Sequence, residues 1–459
     1  MTARRLDGST ARQMTRLLPP AGCWLLAAGC CVLIAVCCLV AGCSGLTRVG
    51  RPASFHGAAS TVLDDGYEDY AGVIHIHTTY SHDAMGTFEE AVRVANAQRL
   101  DYLVITEHNT LQPLRDGKQG WHGATLVLIG MEISTRGGHY LALNVTEDID
   151  RFKLTAQEVI DEVNRQGGVG FIAHPYFKKG RWKDWTVTRF TGIEGYNVAH
   201  DTLDENKLRL VLWTISAPAE PFYLSILDRP YDPLAKWDEL IRRHGRIVGI
   251  GASDAHEFHL LGLTFAPYTI MFQLSRTHLL LQGPLTPEKA YDALRAGHAY
   301  FSIELSAEAK GFSLTADNGK RVLGIMGDEV LLEPDLRLTA WLPAPAQLSL
   351  FKDGRLIATT TDQVWHVPVT QPGAYRLEAA RHDKPWIFSN PIYVRPAPQT
   401  TTNPPQEADT TDRAQQPAEQ DQQTLNTTQQ IVPSLPPSMD SQPASQEKHE
   451  EPPADNTTR

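Results

Sequence analysis

Between residues 70 and 300 the chain alternates short apolar runs with amphipathic helical segments, and a histidine or carboxylate stands at the end of nearly every run. Alternation of this kind is the pattern of parallel β/α units. The first run, Ala71-Gly72-Val73-Ile74, passes directly into His75-Ile76-His77. Thr87-Phe88-Glu89-Glu90 reads as a capping box opening a helix to about Arg99, with Ala91, Val92 and Ala95 on one face. Strands follow at Tyr102–Thr106, Leu126–Met131 and His139–Asn144, then a second capping box at Thr155 and Glu158, then Val169–Ala173 and Ile193–Tyr196. A helix from about Asp232 to His244 and the strand Arg246–Gly251 end the series.

The polar residues at the run ends share one chemistry. His75, His77, Asp83, His108, Glu132, His139, His174, Asp254 and His256 are all donors for Zn²⁺, Mn²⁺ or Fe²⁺. Nine are too many for one ion and suit two or three. In a closed β/α barrel the carboxyl ends of parallel strands converge on one face, which would gather ligands from residue 75 to residue 256 into one cluster.

The two ends of the chain lie outside this pattern. Residues 1–20 carry Arg4, Arg5, Arg12 and Arg16 against Asp7, and the 22 residues from 21 to 42 are uncharged and apolar up to Val40-Ala41-Gly42-Cys43. This reads as an export signal (1–43) closed by a lipobox, with Cys43 the lipidated residue; an uncleaved membrane helix is the competing reading. Either places the body on the periplasmic or extracellular face, anchored to the membrane, because the arginines stay inside. All six cysteines (23, 30, 31, 37, 38 and 43) precede residue 44, so a chain beginning at Cys43 has no internal disulfide and no catalytic thiol. Loss of residues 1–42, with four basic and one acidic group, takes the net charge from −11 to −14. Such an acidic body is not expected to bind nucleic-acid duplexes.

Residues 44–69 read as a linker and 70–304 as the barrel. From 305 to 395 the texture becomes short alternating strands punctuated by Lys352-Asp353-Gly354-Arg355 and Gln371-Pro372-Gly373, as in a small antiparallel β-sandwich of Ig-like size. Residues 396–459 hold ten acidic and three basic residues, eleven prolines and no aromatic residue, and are expected to be a disordered tail.

The motifs HIHTTYSHD (75–83), TEHN (106–109), GMEIS (130–134), GGHYLAL (137–143), AHP (173–175) and SDAH (253–256) together resemble the PHP family of metal-dependent phosphoesterases, named for polymerase and histidinol phosphatase. The added β domain and export segment resemble its carbaryl-hydrolase-like branch. The resemblance implies a distorted (β/α)₇ TIM-like barrel holding two or three divalent ions. It implies that His75, His77, Glu132 and Asp254 hold the first ion. Glu132 would bridge to a second ion on His139 and His174, while Asp83, His108 and His256 would hold a third. Two departures stand out: Glu107 replaces the family's usual aspartate before His108, and Asp83 is followed by Ala84-Met85-Gly86 instead of glycine.

Bound metal lowers the pKa of water to give hydroxide near neutral pH, so the expected activity is hydrolysis of a small phosphorylated molecule, as phosphomonoester or phosphodiester, with no Ser or Cys nucleophile. Asp254, His256 and His200 are candidates for proton delivery, and Lys178, Lys179 and Arg181, directly after Ala-His-Pro, for binding a substrate anion. A solvated loop would carry the same three charges. Trp182, Trp185 and Trp213 fit a pocket lining or plain core packing, and His82 a surface position. The same metals could instead cleave a carbamate, ester or amide. A surface-binding lipoprotein with structural metals is the non-enzymatic reading.

Overall fold

A computed structural model describes residues 63–397 except 179, 199–222, 226 and 261. Its strands are β1 (Glu68–Ile76), β2 (Tyr102–His108), β3 (Gly120–His122), β4 (Thr125–Thr135), β5 (Gly138–Leu143), β6 (Val169–Ile172), β7 (Gly192–Asn197), β8 (Val248–Ala252), β9 (Phe258–Leu260), β10 (Leu263–Phe265), β11 (Arg276–Leu281) and β12 (Ala299–Ser302), then β13 (Ser313–Asp317), β14 (Val322–Ile325), β15 (Glu329–Leu331), β16 (Arg337–Trp341), β17 (Gln347–Lys352), β18 (Arg355–Thr360), β19 (Val364–Pro368), β20 (Gly373–Arg381), β21 (Lys384–Ser389) and β22 (Ile392–Arg395). The helices used below are α1 (Phe88–Ala97), α2 (Gln112–Arg115), α3 (Ala156–Arg165), α4 (Tyr231–His244), α5 (Tyr268–Leu274) and α6 (Pro287–Ala296).

The first half forms a curled sheet in the order β11-β1-β2-β4-β5-β6-β7-β8. One face of its strands presents Val73, Leu103, Ile105, Val127 and Ile129 to Phe88, Ala91 and Val94 of α1 and to Val159 and Ile160 of α3. From the other face Ile74, Val104, Leu128, Leu141, Phe171 and Ile250, contributed by six strands, meet in a second cluster with Leu294 of α6. Curling lets both faces of each strand bury apolar groups, which is why these runs are nearly all apolar rather than alternating.

The curl departs from the regular parallel β/α barrel expected from the sequence. β1–β2, β2–β4, β6–β7 and β7–β8 are parallel, but β4–β5, β5–β6 and β11–β1 are antiparallel. The cause is local: Arg136-Gly137-Gly138 turns β4 back on itself, and Gly138 sits at φ +134, where a Cβ would lie 2.7 Å from the Trp182 backbone. The two ends of the curl meet without a continuous ladder. Ser253 and Asp254 N–H groups donate to Ile74 and His75 carbonyls (2.9 and 2.7 Å), His77 N–H donates to Ala255 O (2.9 Å), and Thr277 Oγ1 bonds both polar groups of Gly251.

The C-terminal strands do form two antiparallel layers with a shared core. One is the sheet β14-β13-β16-β19, and the facing layer is built from β17, β18, β20, β21 and β22. The boundary expected at 304/305 is, however, crossed by hydrogen bonds: β12 pairs with β21, so one sixteen-stranded sheet runs through both halves. Buried polar groups fasten the junction. Arg376 on β20 grips Asp238 of α4 through two bonds (2.8 and 2.7 Å), and Asn390 bonds the Gly249 N–H and the Gly249 and Ala299 carbonyls. Among the described residues no helix is long and apolar enough to cross a membrane. The segment expected to direct export, with Cys43, most of the expected 44–69 linker, Lys179, His200, Trp213 and nearly all of the acidic tail lie outside the described residues.

Candidate metal centre

The nine ligand positions expected from the sequence arrive at one end of the curled sheet. Strand direction alone does not place them all there. His77 and His174 come just after β1 and β6, and His108 is the last residue of β2. Glu132 lies near the end of β4 and His139 near the start of β5; because these strands are antiparallel, both face the same end. His75 occupies a bulge in β1, where pairing with β2 skips from Ile74 to Ile76. His75, His174 and Asp254 all adopt positive φ (68, 23 and 52), a backbone costing about 1–3 kcal/mol each for such side chains. Neighbouring bonds hold them there: Asp254 N–H donates to His75 O, and His174 N–H to Glu194 Oε2 at 2.6 Å.

The donors fall into overlapping sets around Glu132. Its Oε2 and Asp254 Oδ1 lie 3.4 and 3.4 Å from His75 Nε2, and 3.4 and 3.5 Å from His77 Nε2. These lengths exceed ordinary N–H···O bonds. They equal the roughly 3.4 Å edge of a tetrahedron whose corners sit about 2.1 Å from a zinc-like ion. His75 Nε2, His77 Nε2 and Glu132 Oε2 are also buried without a hydrogen-bond partner, which is costly unless a cation fills the gap between them. Glu132 Oε1 faces a different pair, His139 Nδ1 at 2.7 Å and His174 Nε2 at 2.8 Å, themselves 3.3 Å apart. Toward solvent, Asp83 Oδ2 lies 3.2 Å from His108 Nε2, and its Oδ1 lies 3.7 Å from His256 Nε2. The donor groups therefore suit divalent metal held around Glu132.

Charge at the cluster points the same way. Burial pushes the Glu132 and Asp254 carboxyls up, but the surrounding imidazoles outweigh it and hold both well below the usual carboxylate range. Burial lowers His75, and the carboxylates of Asp254, Glu194 and Glu132 more than reverse it; His108 is likewise raised to about 10 by Asp83 and Glu132. The pocket stabilises positive charge where the nitrogens converge. His256 behaves differently: burial and the neighbouring His77 charge pull it down to about 4. Its Nδ1 lies 2.9 Å from the Asp254 carbonyl and carries the ring proton, so Nε2 presents a lone pair toward Asp83. That suits a ligand.

Groups behind the ligands fix their orientation, and the sequence reading passed over most of them. Glu194 Oε1 takes His75 Nδ1 at 2.6 Å, and its Oε2 accepts from His174 N–H and Asn197 Nδ2. A lone carboxylate in the buried run Gly192-Ile193-Glu194-Gly195-Tyr196 was the available signal, since buried carboxylates need partners. Glu107, the departure noted in Thr-Glu-His, accepts from Thr78 N, Thr78 Oγ1 and Ser81 Oγ (3.0, 2.6 and 2.5 Å). Ser81 Oγ in turn lies 3.1 Å from His77 Nδ1 and accepts from His108 N–H. The longer side chain thus reaches the loop that carries two ligands.

Lys178 and Arg181 are exposed on either side of Gly180, whose φ of +78 lets the loop lie against the His139 ring. Trp182 is core, its indole N–H donating to Asp184 O, and Trp185 stacks under Lys236. His82 is exposed, with its ring 3.9 Å from Asp83. Met85, noted only as part of the changed turn after Asp83, and Phe258, absent from the sequence reading, stand half-exposed beside the cluster, with Phe258 stacked at 5.9 Å on His256.

Fold and donor geometry define a mixed α/β domain built around a carboxylate that faces two sets of metal-binding groups. In the comparison with known proteins, residues 74–256 match the family described as PHP domain. An uncharacterized protein of Methanocaldococcus jannaschii is 31 % identical over 114 residues, 22 % of this chain and 66 % of the relative, just under two thirds of its length. Among solved structures, a two-domain protein from Bacteroides vulgatus containing a predicted PHP-like metal-dependent phosphoesterase aligns over 72 % of this chain and 97 % of its own, at 16 % identity and a TM-score of 0.33. A putative metal-dependent phosphoesterase from Bifidobacterium adolescentis aligns over 42 % and 88 %, at 15 % identity and a TM-score of 0.27.

Proposed function

We propose that this chain is a metal-dependent hydrolase that cleaves phosphomonoesters or phosphodiesters of small molecules. The observation that carries the reading is the division of Glu132 between two ligand sets, Oε2 toward His75 and His77 and Oε1 toward His139 and His174. Two ions held about 3.5–4 Å apart supply Lewis acidity and lower the pKa of bound water, which is the chemistry phosphoester hydrolysis needs. The protein's part is to hold and orient. Glu194 holds the His75 ring directly and Glu107 holds the His77 ring through Ser81, Asp254 stays ionised at neutral pH, and the open side at Asp83 and His139 admits substrate. In this reading Lys178 and Arg181, exposed on the loop whose Gly180 lies against the His139 ring, meet the substrate anion. The same proposal has the body exported and tethered through Cys43.

The test is turnover by the metal-loaded full-length protein on phosphomonoester, phosphodiester and carbamate panels. Phosphoester hydrolysis that disappears on chelation supports the proposal. Turnover confined to carbamates would replace it with the alternative bond class. Radiolabelled palmitate incorporation that Cys43→Ala abolishes tests the tether.

A further inference from the structure

A second set of donors lies outside the nine ligands. Glu90 on the first turn of α1, Glu257 and His259 bring a carboxylate oxygen, a carboxylate oxygen and an imidazole nitrogen within 4.8 Å of one another. We propose that these three residues bind an auxiliary divalent cation of the zinc or manganese class, which pins the start of α1 to the loop carrying Asp254 and His256.

Each residue is arranged for this in a way its own element does not require. Glu257 is 3 % exposed and adopts φ +43, so a strained backbone carries a buried carboxylate. Its Oε2 accepts from Tyr268 N–H at the start of α5, its carboxyl group meets the Glu90 carboxyl, and its Oε1 lies 3.4 Å from His259 Nε2. That distance is too long for a good hydrogen bond and matches the edges of the main cluster. His259 Nδ1 is held by Thr264 Oγ1 at 3.2 Å across the β9–β10 hairpin, leaving Nε2 turned to the carboxylates. Metal-binding histidines are commonly oriented through the other ring nitrogen in this way.

Glu90 gives an independent indication. At the equivalent place in α3, Glu158 turns back to the Thr155 N–H and completes a capping box. In α1 the Thr87 hydroxyl accepts from Glu90 N–H, yet the Glu90 carboxylate does not make the return bond; it contacts Arg93 at 3.2 Å and the Glu257–His259 pair. Two carboxylates and an imidazole, with one exposed arginine on the outer carboxylate, match the donors of a borderline divalent ion.

The test is zinc content of the full-length protein after stripping and reloading, read by mass spectrometry for wild type, Glu90→Gln, His259→Ala, Arg93→Ala and His75→Ala. The expected result is one equivalent fewer in Glu90→Gln and His259→Ala, with a smaller zinc-induced rise in melting temperature and unchanged melting of the metal-free forms. Arg93→Ala should keep all its zinc. His75→Ala should lose ions from the main cluster while the His259→Ala decrement persists on top of it. Unchanged zinc content in both Glu90→Gln and His259→Ala would overturn the proposal and leave an ion-paired cluster only. Because the readout is a difference in equivalents, it stands apart from whether the main cluster hydrolyses phosphoesters.

Discussion

Glu194 Oε1 sits 2.6 Å from His75 Nδ1, and through its other oxygen the same carboxylate holds the His174 backbone. One side chain on β7 therefore positions donors of both groups that face Glu132. Glu194→Gln should weaken metal binding by about 10–100-fold, the usual effect of losing such a partner. Competition against a chelator of known affinity measures it, and an unchanged affinity would remove Glu194 from this role.

Asp254→Asn should lose the first ion, since its Oδ1 completes the set of four around His75 and His77. Hydrolytic turnover should fall at least 100-fold on the order expected for removing one metal ligand together with its charge. Metal content measured on the same sample separates loss of the ion from loss of the fold.

Stripping the metals should lower the melting temperature, because ions that bind only the folded chain stabilise it by mass action, about 2.7 kcal/mol at one hundred times the dissociation constant. Thermal melts across a zinc titration give the slope. A flat response would contradict the donor geometry around Glu132.

The junction between the two halves predicts a separate pH dependence. His278 on β11 is buried between Asp69 and Glu304, 2.7 Å from each. Burial lowers it, but the two carboxylates raise it to about 9; Glu304 is pushed up by burial and brought down to about 2 by Arg276 and His278. A raised histidine stabilises fully below its unfolded value of 6.5, and the contribution is lost as pH rises through about 9. A lowered glutamate contributes above 4.5 and loses it as pH falls toward about 2. Metal-free protein should thus be most stable near pH 5 to 6.5 by this network, and His278→Gln should flatten the alkaline decline in melting temperature.

Arg376→Ala should destabilise by about 3–5 kcal/mol, the typical cost of leaving a buried charge unpaired. Asp238 would lose a two-bond partner, and Glu378 would keep only Arg229. Chemical denaturation read by tryptophan fluorescence checks this, Trp237 lying 5.5 Å from the guanidinium.

The strands and ligands were legible because each rests on local pattern: apolar runs for β1, β2 and β4, and donors at their ends. What the pattern could not carry was partnership over distance. Nothing near His75 points to Glu194, 119 positions away, and nothing in Gly137-Gly138 distinguishes a loop between parallel strands from the tight turn that reverses β5. The β-sandwich was visible as alternation, but alternation does not say which strand finds which edge, so the pairing of β12 with β21 was out of reach. His256 was legible as a donor, while its proton's location depends on a carbonyl two residues away in a left-handed turn.

That pairing also sets a schedule for biosynthesis. β12 offers an unpaired edge until β21 has been made, and the Asn390 clasp on Gly249 and Ala299 comes later still. The N-terminal half therefore leaves the ribosome with its sheet unfinished, and truncations that stop after residue 304 should aggregate instead of yielding a smaller folded domain.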